Sequence, residues 1–175
     1  MKDRESNVLS LLEDRTNSYA NKIALGIKTS YGWKEFTYNG LGVTSRKLAS
    51  YLMNDLELKK GERLAILSES KPEWGAALFA SVLAGATLIP LDIKLTAYEL
   101  NSILSSCMPK ILMCSNAYLE KAKQLKEEIT SIEEIIVIDE GCTDKTCQCL
   151  YDMPDARNLK WRHRNPQQSA FIIYT

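Results

Sequence analysis

Four short apolar runs recur along this chain: Leu64-Ala65-Ile66-Leu67, Thr87-Leu88-Ile89-Pro90-Leu91, Ile111-Leu112-Met113-Cys114 and Ile135-Ile136-Val137-Ile138. None of them alternates with polar positions. A strand that is apolar throughout has both faces buried, as happens in a parallel sheet covered by helices on either side. Helical periodicity fills the stretches between the runs, so strand, helix and strand follow one another with short connections. The expectation is an α/β fold, a mostly parallel, helix-flanked sheet with right-handed crossovers. Pro90 removes a ladder donor, which places its strand at an edge or at a bulge. A chain of 175 residues can bury one sizeable core, so a single unit over 1–175 is expected.

Upstream of the first run the pattern differs. Ser6 can cap a first helix whose apolar face takes in Val8, Leu11, Leu12 and Tyr19. Ile23–Lys28 and Trp33–Tyr38 make an N-terminal hairpin around Ser30-Tyr31-Gly32. A second helix follows, with Leu41, Leu48, Leu52 and Leu56 along one side. Two later helix starts are written in capping residues. Thr96-Ala97-Tyr98-Glu99 is a capping box flanked by Leu95 and Leu100 at staple positions. Ser70-Lys71-Pro72-Glu73 repeats the same logic, with proline in the first turn where its missing N–H does no harm. The helix it opens is expected to bury Trp74, Ala77, Leu78, Ser81, Val82 and Gly85. Between residues 139 and 166 periodicity lapses, and an irregular connecting segment is expected. Phe171-Ile172-Ile173-Tyr174 then reads as a buried strand among parallel neighbours that leads to Thr175; Tyr174 on the outer rim, away from those neighbours, would sink any site role for Thr175.

Charge excludes some partners. Lys plus Arg number 22 and Asp plus Glu 22, leaving no overall field to draw in nucleic acid or anionic lipid. Lys160-Trp161-Arg162-His163-Arg164 is the nearest approach to a basic patch and reads as a solvated turn. The charged start lacks the apolar region of a signal peptide, and the apolar stretch Trp74–Leu91 is broken by Gly75, Gly85 and Pro90, so no membrane span is expected. Cys142, Cys147 and Cys149 lack the paired spacing of a zinc site and read as free thiols of a cytoplasmic protein.

Read locally, the motifs yield no complete active site. Gly40-Leu41-Gly42-Val43-Thr44-Ser45 has two of the three glycines of a dinucleotide fingerprint and follows a hairpin, which argues against a nicotinamide-dependent oxidoreductase. A phosphate loop of the Walker type and a nucleophile elbow are both missing from the sequence. His163 has no local support as partner to a catalytic cysteine, and Asp92, beyond a strand end, reads as a turn residue before the Thr96 cap.

Five stretches in order resemble the start of the adenylate-forming (AMP-binding) enzymes, a superfamily of acyl-CoA synthetases, luciferases and peptide-synthetase adenylation domains. They are Phe36-Thr37-Tyr38, Leu58–Leu67 with its Lys60-Gly61-Glu62-Arg63 core, Ser70-Lys71-Pro72-Glu73-Trp74, Ala84–Asp92 and Leu95–Leu100. The likeness covers about residues 20–116 and returns at Ser169–Thr175. Gly40 stands where the family usually has an acidic cap residue, and Ser70 where it usually has Asn.

The resemblance implies that 1–175 is the N-terminal part of the large domain of an ATP-dependent acid–thiol ligase. Such an enzyme activates a carboxylate as acyl-AMP, with ATP and Mg2+, and passes the acyl group to coenzyme A. Lys71-Pro72-Glu73-Trp74 looks like long-chain members, which points to a fatty acid. Tyr174-Thr175 resembles the approach to the family's phosphate loop, so Thr175 is its expected first residue and the sole nucleotide-binding candidate here. No catalytic or metal-binding residue is expected in this chain, nor a tightly bound cofactor. The chain alone is expected to be inactive and to self-associate through an apolar face. The alternatives are a non-catalytic binding module on the same scaffold or part of an amino-acid adenylation domain.

Overall fold

A computed structural model describes residues 8–157, 162 and 169–174. Helix α1 (Val8–Ser18) leads to an antiparallel hairpin of β1 (Ile23–Thr29) and β2 (Gly32–Thr37), which form a sheet of their own. Then come α2 (Tyr38–Asn54), β3 (Arg63–Leu67), α3 (Pro72–Leu83), β4 (Thr87–Leu91), α4 (Ala97–Cys107), β5 (Ile111–Cys114), α5 (Leu119–Glu128), β6 (Glu134–Val137) and β7 (Gln148–Cys149). The main sheet has the order β4-β3-β5-β6-β7, and every pairing in it is parallel.

Both faces of this sheet are covered, as the unbroken apolar runs require. Leu64, Ile66, Leu88, Ile111, Met113 and Ile136 pack against α1, α2 and α3. Ala65, Leu67, Ile89, Leu112, Cys114 and Val137 face α4 and α5. Neighbours in a strand point to opposite sides, so alternate residues of one run feed two separate cores. Small side chains on α3, among them Ala76, Ala77, Ala80 and Ser81, are fully buried and bring that helix close to the strands.

The helix faces correct two expectations. In α1 the buried residues are Leu9, Leu12 and Thr16, while Val8, Leu11 and Tyr19 are exposed; Thr16 closes the stripe by returning its hydroxyl to Leu12 O at 2.6 Å. In α3 the buried stripe runs through Glu73, Ala76, Ala77, Ala80 and Ser81, and Trp74 and Leu78 are only half-buried. The expected Ala77, Ser81, Val82 and Gly85 are buried, and the small members of the stripe set the close approach to the sheet that leaves Trp74 and Leu78 at its margin. The proposed Ser6 cap lies outside the described residues.

Helix ends carry their own chemistry. Thr96 Oγ1 accepts from Glu99 N at 3.3 Å and Glu99 Oε2 accepts from Thr96 N at 2.8 Å, so the capping box closes as expected. Leu95 and Leu100 both join the core on that side. Thr37 caps α2 by accepting from Gly40 N at 3.1 Å; Gly40 at the third helical position has no carboxylate with which to reciprocate. Helix α3 ends in a Schellman turn. Gly85 N donates to Val82 O at 3.0 Å and Ala86 N to Ser81 O at 2.9 Å, with Gly85 at φ +71°.

The run Phe171–Tyr174 departs from expectation. Phe171 makes one parallel bridge to Leu88, with Ala170 O accepting from Leu88 N and Leu88 O from Ile172 N. Ile173 is 72% exposed and Tyr174 is exposed at the rim. This is a parallel rim segment rather than a buried strand. Residues i and i+2 of a strand face the same neighbour, so the next donor toward this segment would come from Pro90, which has no N–H. Pro90 therefore does mark an edge of the regular ladder. Within residues 139–166, read as irregular, the described part includes β7, a 3-10 turn over Leu150–Asp152, and buried Cys149, Leu150 and Met153.

Candidate functional site

In the strand order, β3 has β4 on one flank and β5 on the other. The connection leaving β3 runs one way and the next strand returns past it, which makes a switch point at the carboxyl ends of β3 and β5. Open α/β sheets bind ligands in such crevices. Here the strand exits deliver Glu69 after β3, Ser115 and Asn116 after β5, and Asp139 after β6.

These side chains satisfy one another. Ser115 Oγ donates to Glu69 Oε2 at 2.5 Å, and Lys71 Nζ lies 2.7 Å from Glu69 Oε1 and 2.6 Å from Asp139 Oδ1. Asn116 N donates to Asp139 Oδ2 at 2.7 Å. Partial burial disfavours the Glu69 carboxylate, but its bonds from Lys71 and Ser115 outweigh that and hold it below its ordinary range. Burial likewise opposes charge on Lys71, and the two carboxylates override it, raising the ammonium pKa. The arrangement is a closed clamp that fixes three loop exits relative to one another.

A second buried group lies beside it. Glu73, at the start of α3, is fully buried; Lys34 Nζ of β2 lies 2.5 Å from Oε1, and the Tyr151 hydroxyl donates to the same oxygen at 2.7 Å. Its Oε2 has no hydrogen-bond partner among the described residues. The expected Ser70–Glu73 cap is therefore absent: Lys71 occupies the cap position and makes no side-chain bond to the first turn, and Glu73 turns inward to partners far along the chain. Desolvation, reinforced by the Glu73 carboxylate, pushes the Tyr151 phenol well above its usual range.

Thr175, the nucleotide-binding candidate, lies outside the described residues, as does His163. What leads to Thr175 is the rim segment, whose Tyr174 hydroxyl is 3.5 Å from Ser106 Oγ. Beside it is an open cleft of about 480 Å³ lined by Pro90, Asp92, Leu95, Tyr98, Glu99 and Tyr174. Asp92 is a turn residue there, Oδ1 accepting from Lys94 N at 2.9 Å. Glu99 is committed to its capping box. Among the described residues no group of three His, Cys, Asp or Glu side chains is placed to hold a metal ion. The rim position of Tyr174 lends Thr175 no support from geometry, and its reading stands on resemblance.

The fingerprint-like glycines lie in the first turns of α2, after an antiparallel hairpin and outside any strand–helix–strand unit. Gly42 has a packing reason: a Cβ there would come 3.0 Å from Thr16 Oγ1 of α1. No described helix is long and apolar enough to cross a membrane. No sequence pattern points to the Lys34–Glu73–Tyr151 and Lys71–Asp139 contacts. The one available signal was the presence of charged residues immediately after apolar strands, which local patterns do not pair.

Comparison with known proteins agrees with this architecture. The chain is 24% identical over 171 residues to a crotonobetaine/carnitine–CoA ligase of Salmonella paratyphi A, covering 97% of this chain and 31% of that protein. It is 26% identical over 145 residues to surfactin synthase subunit 2 of Bacillus subtilis, covering 83% of this chain and 4% of that one. The chain thus spans less than a third of the length of those relatives. The crystal structure of the anthranilate CoA ligase AuaEII in complex with anthranoyl-AMP superposes with a TM-score of 0.83 at 22% identity, over 95% of this chain and 31% of that one. A model of the AMP-binding enzyme family matches residues 12–175, and this chain belongs to that family.

Proposed function

We propose that residues 1–175 are the N-terminal part of the large domain of an ATP-dependent acid–thiol ligase. The parent activates a carboxylate as acyl-AMP, using ATP and Mg2+, and transfers the acyl group to coenzyme A. The observation that carries this reading is the family match over residues 12–175 together with the parallel, helix-covered sheet. A fatty acid is the proposed substrate, on the likeness of Lys71-Pro72-Glu73-Trp74 to long-chain members. Thr175 is the proposed first residue of the phosphate loop. The cytoplasm is the proposed location, and the chain alone is proposed to be inactive and to self-associate along the Phe171–Tyr174 rim.

In this reading the described residues are scaffold. Their work is to fix strand exits and hold the rim segment beside β4, so that a loop continuing from it starts from a defined place. The similarity to surfactin synthase subunit 2 favours one second reading, part of an amino-acid adenylation domain.

Carboxylate-dependent exchange of pyrophosphate into ATP tests both. The parent protein is expected to exchange with long-chain fatty acids and to form their CoA thioesters, while 1–175 alone shows no exchange. Exchange driven by amino acids but not fatty acids would support the second reading, and turnover by 1–175 alone would refute the scaffold role.

A further inference from the structure

Two of the five cysteines stand apart from the rest. Cys107, Cys114 and Cys149 are buried, whereas Cys142 and Cys147 are half-buried on the connection between β6 and β7, with their sulfurs 3.5 Å apart. Both thiols point to one acceptor, Asp144 O, at 3.8 Å from Cys142 Sγ and 3.4 Å from Cys147 Sγ. That carbonyl is held in place from two sides. The Asp144 carboxylate accepts from Thr146 N at 2.8 Å and Thr146 Oγ1 at 2.6 Å, and it is ion-paired to Lys123 of α5. The turn itself starts at Gly141, φ +71°. Nothing in the adenylate-forming chemistry uses this pair.

We propose that Cys142 and Cys147 form a modification site, a dithiol that a low-molecular-weight disulfide oxidises to an intramolecular disulfide. A disulfide needs its sulfurs at about 2.05 Å, so closure from 3.5 Å asks for roughly 1.5 Å of approach. Side-chain rotation on a turn can supply that. The bond would close a loop of only a few residues, for which the gain in loop-closure entropy is small. Such a disulfide is readily reduced again, which suits a reversible modification and not a structural staple.

The two sulfurs take different roles. Burial raises the Cys147 pKa, and its shorter bond to Asp144 O, 3.4 Å against 3.8 Å for Cys142, also favours the thiol form, so the first attack falls to Cys142. The Cys142 thiolate attacks one sulfur of the small disulfide, forming a mixed disulfide and releasing a small thiolate. Once the Cys142 sulfur is bonded it no longer carries a charge that opposes ionisation of its neighbour. Cys147 then loses its proton to solvent and attacks the Cys142 sulfur, expelling the second small thiolate. Two protein thiols are oxidised, one small disulfide is reduced, and each released thiolate takes up a proton.

The test uses the full chain in glutathione buffers of graded oxidised fraction, read by intact mass and by peptide mapping with fragmentation. Lys145 lies between the two cysteines, so trypsin yields one joined pair of peptides when they are bridged and two separate peptides after reduction. The expected result is a loss of two hydrogens with the bridge mapped to Cys142 and Cys147. C147S should stall as a glutathione adduct on Cys142, and C142S should react at least tenfold more slowly than the parent chain. C107S and C149S should leave the reaction unchanged. A bridge mapped to Cys149, an adduct forming as fast on C142S, or thiols at 142 and 147 still free when model dithiols in the same buffer are oxidised would each overturn the proposal.

Discussion

The Tyr151 hydroxyl donates to Glu73 Oε1 at 2.7 Å, joining the turn after β7 to the first turn of α3. Lys34 Nζ reaches the same oxygen at 2.5 Å from the hairpin. One buried carboxylate thereby ties together three segments that are distant in sequence.

Tyr151→Phe should lower stability by about 1.5–3 kcal/mol, the loss of a hydrogen bond to a charged acceptor. Glu73→Ala should be worse than Glu73→Gln, because the amide still fills the site and can accept from Tyr151. Urea unfolding at neutral pH checks both. Equal midpoints for the two Glu73 variants would show that the carboxylate position contributes nothing through its partners.

Lys71→Met should destabilise by about 1–3 kcal/mol at neutral pH, since it leaves Glu69 and Asp139 facing each other without a cation. The pH dependence follows from directions. Glu69 is held below its ordinary value of 4.5, so its contribution is present above that value and is lost as pH falls through the lower folded pKa. Lys71 is held above 10.5, so its contribution is present below that value and is lost as pH rises through the folded pKa. The gap between parent and variant should therefore hold down to about pH 4.5 and shrink as the medium is acidified further, which unfolding midpoints followed from about pH 8 down through the folded Glu69 pKa would reveal.

Thr96→Ala removes the hydroxyl that accepts from Glu99 N, and should cost about 1 kcal/mol by the usual value of a helix cap. The Thr96 hydroxyl and amide hold Glu99 below its ordinary pKa, so the folded form should lose this help as the medium is acidified through the folded pKa. NMR titration of Glu99 should show its pKa move up in the variant. An unchanged value would mean that the hydroxyl is not the controlling donor.

Gly85→Ala forces a side chain into φ +71° and places Cβ 3.1 Å from Arg162 Cβ. Left-handed backbone alone costs an L-residue about 1–2 kcal/mol. The thermal midpoint should fall, whereas Gly61→Ala, at φ +88° with open space around it, should show the backbone component without the steric one.

Elements set by short-range chemistry were legible in the sequence, and elements set by distant partners were not. Leu64–Leu67 could only be a strand buried on both sides, and Thr96-Ala97-Tyr98-Glu99 names its own geometry. Glu73 carried the same local signature as Glu99, yet it turns inward because Lys34 and Tyr151 wait there, and no window around residue 73 contains either. Gln148–Cys149 was invisible because two residues set no period; β6 alone makes them a strand. Phe171–Tyr174 has strand composition but lies along a single neighbour whose next facing residue is a proline.

The order β4-β3-β5-β6-β7 bears on how such a chain is made. The earliest of these strands becomes an inner one, and each later arrival docks on a border already present: β4 and β5 against β3, then β6 on β5, then β7 on β6. A polypeptide leaving the ribosome can build this layer outward in the order of its synthesis, with no gap held open for a strand still to come.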